Sequence, residues 1–134
     1  MELELHDLLL AQFSENGDGP MFYNCWNSSR EIYKRFGRWL PRYSDYIAAI
    51  SQRDNLIRTI IDDDFISISK PEIPCIVTFR LSRYEPRAIT HMGVVISKRR
   101  FFHISKRVGA SAIRLDDRRW SKKIEGFYRY AGNN

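Results

Sequence analysis

The spacing of hydrophobic residues changes at Asp64, and this change constrains the fold more strongly than any other feature of the sequence. Before it, apolar residues recur at helical spacing over 3–13, 25–36 and 44–61. After it, they follow the period of two that is typical of strands. The predicted strands are 65–68, 75–81, 89–96, 101–105, 110–115 and 124–130, with a short helical turn at 117–120. Helices followed by a meander of strands predict an α+β fold, with N-terminal helices packed on a five- to six-stranded antiparallel sheet.

The length and the cysteine content limit the architecture further. A chain of 134 residues fits one domain over 1–134 with its own core. Two cysteines are too few for a disulfide framework, so Cys25 and Cys75 are either free or joined in a single bridge. The run 62–64 lacks the alternating ligands and the glycine of a calcium loop. We expect neither a metal ion nor a cofactor.

The N-terminal residues do not resemble an export signal. Residues 1–7 are acidic rather than basic, and the apolar run 8–11 is too short for a signal core or a membrane span. We therefore expect a protein without a membrane span or signal peptide, made in the cytoplasm. If it acts outside the cell, another component must deliver it.

The positive charge lies in the second part of the chain. Residues 80–134 carry 14 Lys and Arg against 4 Asp and Glu, a balance of +10 within a net charge of +6. Such a surface either steers the protein toward an anionic partner or only keeps it soluble. The sequence has no RNP-like aromatic motif, zinc-finger spacing or helix-turn-helix pattern, so nothing beyond its charge favours a nucleic-acid partner.

Cys25 lies directly behind a capping-type residue, Asn24, at the start of a predicted helix that Gly37 ends. The unpaired N–H groups and the positive end of the helix dipole favour a thiolate there, the form that attacks a carbonyl carbon. The alternative is a small buried apolar side chain, which is the commoner role of a lone cysteine.

Two of the three histidines, His91 and His103, lie twelve residues apart on neighbouring predicted strands. A cysteine nucleophile needs a base, and the base needs a polar group on its other ring nitrogen. A two- or four-residue turn centred on Lys98–Arg99 would place the histidines on opposite faces. A shared face therefore requires a three- or five-residue turn, or a bulge, somewhere in 96–101.

These features together resemble the NlpC family of cell-wall cysteine peptidases, which has a papain-like fold, and especially its phage-tail-associated members. The resemblance extends from about Asn24 to Tyr130 and includes the order of the motifs and the histidine spacing. Its parts are the Cys25-Trp26 helix start, the strand 73–79, the histidine-apolar-glycine strand 90–96, the apolar-histidine segment 100–103 and the terminal strand 120–129.

The resemblance implies Cys25 as nucleophile, His91 as general base and acid, and His103 as the orienting group. The implied reaction is hydrolysis of an amide bond in peptidoglycan stem peptides, often between D-glutamate and a diamino acid. The implied oxyanion donors are the backbone N–H groups at the start of the Cys25 helix.

The sequence departs from the family pattern around the cysteine. Asn24 stands where the family usually has aspartate, Asn27 replaces a usual glycine, and Cys75 replaces an aspartate. The aromatic residue that helps to bind substrate ahead of the cysteine has three candidates: Tyr23, Phe22 and Phe13. The predicted substrate-binding residues are Tyr23, Asn24 and Trp26.

Three functions stay open at this point. The first is a peptidoglycan amidase or peptidase carried by a virion tail or a secretion machine, with the basic half of the chain aiding its approach to the anionic wall. The second is a tail-structural or binding module that keeps the fold without turnover. The third is nucleic-acid binding through the basic half, for which the sequence offers charge but no motif.

Overall fold

A computed structural model gives the fold of residues 4–42, 57, 61 and 64–132. It begins with a 3-10 helix, Leu8–Leu10, and two short parallel strands, β1 (Gln12–Phe13) and β2 (Phe22–Tyr23). The helix α1 (Cys25–Arg35) follows directly. The other elements are β3 (Phe65–Ile68), β4 (Cys75–Phe79), β5 (His91–Val95), β6 (Arg100–Ser105), β7 (Gly109–Arg114), α2 (Arg118–Ser121) and β8 (Ile124–Tyr130).

The strands β3 to β8 form one six-stranded antiparallel sheet in the order β3-β8-β4-β5-β6-β7. The last strand of the chain is therefore an interior strand, because β8 pairs with β3 on one side and β4 on the other. The α+β class predicted from the change of period is confirmed, with six strands. The helical turn predicted at 117–120 is also confirmed, as α2.

The N-terminal segment differs from the prediction. We expected a short helix over 3–13, but within the described part of this segment, 4–13, only Leu8–Leu10 is helical, and Gln12 and Phe13 pair with β2 instead. Ala11, between these two elements, accepts a backbone hydrogen bond from Ala110 of β7 at 3.2 Å. Tertiary contacts thus outweigh the local helical pattern. The helix predicted over 44–61 lies outside the described residues, except for Ile57 and Ile61, which are buried.

Helix α1 begins and ends at the residues that the sequence predicts. Asn24 is its N-cap, and Gly37 adopts a φ of +80° directly after the C-cap residue Phe36. This left-handed conformation is the one that favours glycine. The following N–H, from Arg38, closes the helix end by donating to the carbonyl of Tyr33 at 2.9 Å.

The sheet is covered on both faces. Met92, Val94 and Ile104 belong to the core on the α1 side, which also includes Trp26 and Ile32 of the helix. The other face has a second core, formed by Cys75, Val77, Phe79, Val95 and Phe101, with Trp120 of α2 packed against it. All five residues of β4 are buried, because this interior strand lies beneath both cores.

The β5–β6 hairpin has the irregular connection that a shared histidine face requires. Val94 pairs with Phe102 and Val95 with Phe101, and the N–H of Ile96 donates to the carbonyl of Arg100 at 3.0 Å. This register leaves a three-residue turn, 97–99. Because side chains alternate between faces, it brings His91 and His103 to the same face.

No helix in the described ranges is long and apolar enough to cross a membrane. The assignment of residues 1–134 to a single domain stays a prediction.

Candidate active site

Cys25 is the first residue of α1, and the asparagine before it holds both the helix and the preceding loop. The Oδ1 atom of Asn24 accepts a hydrogen bond from the N–H of Asn27 at 2.7 Å, which satisfies a first-turn donor. Its Nδ2 donates to the carbonyl of Glu15 at 2.9 Å. One amide side chain therefore fixes the cysteine relative to the loop, and it uses both an acceptor and a donor to do so.

The loop over 14–20 is held against the helix start by a second amide. Nδ2 of Asn27 donates to the carbonyl of Gly17 at 3.0 Å, and the N–H of Asn24 donates to the same carbonyl at 3.1 Å. Gly17 lies so close to β2 that a Cβ atom there would be 2.6 Å from the backbone nitrogen of Tyr23. The departures Asn24 and Asn27 thus take part in one network that positions this loop.

The thiol of Cys25 is protonated at neutral pH. Cys25 is only 5% exposed, and this burial raises the pKa of its thiol to about 11. The backbone N–H groups of Trp26 and Cys25 at the helix start lower the pKa of the thiol, as predicted, but by less than burial raises it. Desolvation outweighs them, so the net shift is toward the protonated form. Cys75 is also buried and also free, so there is no disulfide between the two.

Cys25 and His91 line the same cavity, which has a volume of about 190 Å³. The cavity lies at the end of the sheet where β5 begins and β6 ends, opposite the 97–99 turn. At its edge Lys106 Nζ lies 3.7 Å from Glu15 Oε1, so one charge of each sign borders the space. The complete lining is Phe13, Glu15, Cys25, Thr90, His91, Ile104, Ser105 and Lys106.

A chain of hydrogen bonds runs from His91 away from the cavity. The Nε2 atom of His91 lies 3.0 Å from Nδ1 of His103, with the two rings nearly perpendicular. The Nε2 atom of His103 lies 3.0 Å from the hydroxyl of Ser111 on β7. Since Nε2 of His91 faces His103, Nδ1 is the ring nitrogen left to exchange a proton with a group in the cavity.

Gly93 makes room for this arrangement. The β5–β6 register, continued by one residue beyond the Val94–Phe102 pair, places Gly93 opposite His103. A Cβ atom at Gly93 would lie 2.5 Å from the carbonyl oxygen of Phe102. It would also lie 3.3 Å from Cβ of His103. Only glycine allows β6 to approach β5 this closely, and the close approach lets the His103 ring reach diagonally to His91.

Aromatic side chains cover the histidine pair on the face away from α1. The Trp120 ring lies 4.6 Å from the ring of His103 and 6.1 Å from that of His91, between ring centroids. Phe79 and Phe101 pack against the same rings. Burial lowers the pKa of both histidines well below the usual range, and for His91 the neighbouring His103 lowers it further. Both imidazoles are therefore neutral at pH 7, a state in which His91 can accept a proton.

The three residues predicted to bind substrate are not among those that line this cavity. Asn24 is the buried cap described above. Trp26 is 0% exposed, and its indole N–H donates to the carbonyl of Pro41 at 3.0 Å. Tyr23 is also buried and borders a second cavity of about 200 Å³, where Asp18 forms ion pairs with Arg30 and Arg42. Their assignment to substrate binding stays a prediction.

Sequence reasoning missed Ser111, Glu15 and Lys106. Ser111 pairs directly with His103 in the β6–β7 ladder. A hairpin with a three-residue turn at 106–108 would have placed it there, so the signal was present in the strand spacing. Glu15 and Lys106 lie in turns that are far apart in the sequence, and no local pattern relates them. Among the described residues, no group of three or more His, Cys, Asp or Glu side chains could hold a metal ion.

The fold is shared with solved structures of NlpC/P60 proteins. No protein-family model matches the sequence, and no curated protein matches it. Three structures are similar over more than nine tenths of this chain. NlpC1 from Trichomonas vaginalis matches with a TM-score of 0.60 and 20% identity, over 93% of this chain and 41% of its own. NlpC2 from the same organism matches with a TM-score of 0.64 and 18% identity, over 92% of this chain and 43% of its own. An NLP/P60-family protein similar to lipoprotein from Staphylococcus aureus matches with a TM-score of 0.57 and 19% identity, over 96% of this chain and 39% of its own.

These similarities confirm the papain-like α+β fold predicted from sequence. The chain spans about two fifths of the length of each of these structures. At 18–20% identity the likeness extends to the fold alone.

Proposed function

We propose that this chain is a cysteine peptidase or amidase that hydrolyses an amide bond in peptidoglycan stem peptides. The observation that carries the proposal is the shared cavity of Cys25 and His91, with His91 hydrogen-bonded on its far side to His103. Nucleophile, base and orienting group thus follow one another in the order that thiol-dependent acyl transfer needs. The NlpC/P60 fold and the sequence resemblance supply the substrate class.

The reaction starts from a neutral pair. As substrate enters, Nδ1 of His91 accepts the proton of the Cys25 thiol, and the sulfur attacks the amide carbonyl carbon. The new C–S bond gives a tetrahedral oxyanion. The backbone N–H groups of Cys25 and Trp26 are the proposed donors to this oxyanion, since they already lie near enough to the sulfur to lower its pKa.

The second half of the reaction releases both products. The imidazolium of His91 returns its proton to the departing amine as the C–N bond breaks, which leaves a thioester on Cys25. His91 then takes a proton from water, and the hydroxide attacks the thioester carbon. The C–S bond breaks, which releases the carboxylic acid, and the imidazolium of His91 returns its proton to the sulfur to regenerate the thiol. His103 holds the His91 ring in place through Nε2 and stabilises the imidazolium while it exists.

The lining of the cavity is compatible with a stem peptide. Phe13 and Ile104 provide an apolar wall, and the Glu15–Lys106 pair places one anionic and one cationic group at the edge. Stem peptides carry both carboxylates and amino groups, so each member of the pair has a partner of opposite charge in such a substrate.

Delivery by a virion tail or a secretion machine completes the proposal, as expected from the sequence. Exposed basic side chains in the turns at 97–99 and 106–108 would help the protein to approach an anionic wall. Co-purification with virions, or with a secreted fraction of producing cells, tests this part separately from activity.

The decisive experiment is digestion of purified peptidoglycan followed by mass spectrometry of the released peptides. Wild-type protein should release fragments with a new free amine and carboxylate, and Cys25→Ala should release none. Cys75→Ala is the matched control, because this second buried thiol lies away from the cavity. Equal digestion by Cys25→Ala and wild type would refute the proposal.

A second candidate function, a binding or tail-structural module without turnover, is favoured by one observation. Cys25 is buried and its thiol pKa is raised, so the resting site is not that of a preformed thiolate. A wall-binding assay separates the two functions, since a silent module would bind peptidoglycan and release no peptides.

A further inference from the structure

Ser111 is placed by the sheet at the far end of the histidine chain. It pairs directly with His103 across β6 and β7, and Gly109 at the start of β7 has a φ of +81°. The Ser111 hydroxyl lies 3.0 Å from Nε2 of His103. It does not line the cavity that contains Cys25, so it does not contact a substrate there.

The hydrogen bonds from His91 through His103 to Ser111 allow two proton arrangements. In the first, His91 Nε2–H donates to Nδ1 of His103, whose Nε2–H donates to the Ser111 hydroxyl. In the second, the Ser111 hydroxyl donates to Nε2 of His103, whose Nδ1–H donates to Nε2 of His91. The two neutral rings change tautomer together, because each has one donor and one acceptor nitrogen.

Only the first arrangement supports proton transfer from the cysteine. It leaves a lone pair on Nδ1 of His91, whereas the second puts a proton on that nitrogen. The partner of His103 Nε2 and the direction of their hydrogen bond therefore decide whether His91 can act as a base. His103 is only 3% exposed, so water is a poor substitute for that partner.

We propose that Ser111 is a positioning residue: its hydroxyl accepts a hydrogen bond from Nε2–H of His103 and so holds His91 in the tautomer with a free lone pair on Nδ1. The inference rests on the proposed function for its consequence, but the tautomers themselves are measurable without any substrate. Loss of the hydroxyl would bury an Nε2–H without an acceptor, which favours the opposite tautomer.

The test is ¹⁵N NMR of the imidazole nitrogens in the full chain. In wild type, we expect both His91 and His103 as Nε2–H tautomers. Ser111→Ala should shift both rings toward Nδ1–H, whereas Ser111→Thr should keep the wild-type tautomers. Ser67→Ala is the matched control, since Ser67 is an exposed strand serine on β3. Nδ1–H tautomers in wild type, or an unchanged spectrum in Ser111→Ala, would overturn the inference.

A pair of variants with nearly equal volume covers the case in which Ser111→Ala does not fold. Ser111→Val and Ser111→Thr differ mainly by the hydroxyl, so their tautomers should differ as those of Ser111→Ala and wild type do. Identical tautomers in the two would overturn the inference as well.

Kinetics separate this inference from the peptidase proposal. Ser111→Ala should lower kcat roughly three- to tenfold with little change in KM, because the residue acts through His103 and not on the substrate. If no peptide is released by wild type but the tautomers respond, the peptidase proposal fails and the role of Ser111 in orienting the pair stands. If wild type is active and Ser111→Ala equals it in kcat and tautomers, the inference alone fails.

Discussion

His91 and His103 are hydrogen-bonded at 3.0 Å although they do not face each other directly across the β5–β6 ladder. Continuing the register by one residue places His103 opposite Gly93, so the bond between the histidines runs diagonally past a position without a side chain. The geometry of the candidate site therefore depends on a three-residue turn, which sets the face, and on a glycine, which sets the distance.

Replacing Gly93 should separate the histidine pair. In Gly93→Ala, the added Cβ meets the backbone of Phe102 at 2.5 Å, so β6 must move. We expect a loss of about 1–3 kcal/mol in the free energy of unfolding, measured by urea denaturation. Gly37→Ala is the control, because an alanine there is strained by the φ of +80° but its Cβ atom has no neighbour within 4 Å. Both variants lose stability, and only Gly93→Ala should alter the imidazole NMR signals of His91 and His103.

Asn24→Asp, which introduces the residue usual in the NlpC family that the sequence resembles, should destabilise this chain. An aspartate could still accept from the N–H of Asn27, but it could not donate to the carbonyl of Glu15. Because position 24 is buried, a carboxylate oxygen of the aspartate would face the carbonyl oxygen of Glu15 with no hydrogen between them. We expect a loss of about 1–3 kcal/mol by thermal or urea unfolding at pH 7. Asn24→Ser, which keeps the cap, should cost less, and a more stable aspartate variant would contradict the network.

Cys25 should react faster than Cys75 with a small alkylating reagent. Burial raises both thiol pKa values to about 11, but Cys25 lines the cavity that it shares with His91, whereas Cys75 is 0% exposed. Mass spectrometry of labelled peptides gives the two rates separately. His91→Ala should slow labelling of Cys25 without changing that of Cys75. Equal rates for both thiols in wild type would favour the silent-module function.

The stability of the protein should fall as the pH is lowered from 7 to 5. Burial lowers the pKa of His91 and of His103 in the folded state, while both pKa values stay at about 6.5 in the unfolded chain. Between pH 7 and pH 5 the unfolded state therefore binds more protons than the folded state. The contribution of the two histidines to the free energy of unfolding is fully present above about pH 7 and is lost as the pH falls. We expect a loss of roughly 1–2 kcal/mol per histidine by pH 5 from urea midpoints.

Two variants identify the source of that pH dependence. His91→Gln combined with His103→Gln should flatten the profile between pH 5 and 7. His6→Gln should leave it unchanged, because the His6 side chain is about nine tenths exposed. A wild-type profile that is flat in this window would contradict the burial of the pair.

Trp120 should control the hydration of His103. In Trp120→Ala, the ring that lies 4.6 Å from the His103 ring is lost, so the pKa of His103 should rise toward its ordinary value. NMR titration of the imidazole measures this shift, and urea unfolding should show a loss of about 2–4 kcal/mol. Trp120→Phe keeps an aromatic cover and should shift the pKa less. An unchanged pKa in Trp120→Ala would show that the tryptophan does not exclude water there.

Local sequence patterns were sufficient to predict those elements whose structure depends on residues close together in the sequence. The N-cap Asn24, the C-terminal Gly37 and the period-two strands all follow from propensities and alternation within a few residues. The N-terminal segment was predicted wrongly for the opposite reason. Its helical spacing of leucines competes with pairing to β2 and contact with β7, and these distant partners are not visible in a local window.

The sequence by itself determined the α+β class, the start of the cysteine helix and the two histidines, because each depends on residue type and spacing along one segment. Tertiary structure alone decided the protonation state of Cys25, since desolvation by the folded chain outweighs the helix start. It also decided that Tyr23, Asn24 and Trp26 lie outside the cavity, whereas Glu15 and Lys106 border it. Burial and proximity between distant segments arise only when the chain is packed. The sequence therefore indicates where the site lies, and the fold decides the chemistry of that site.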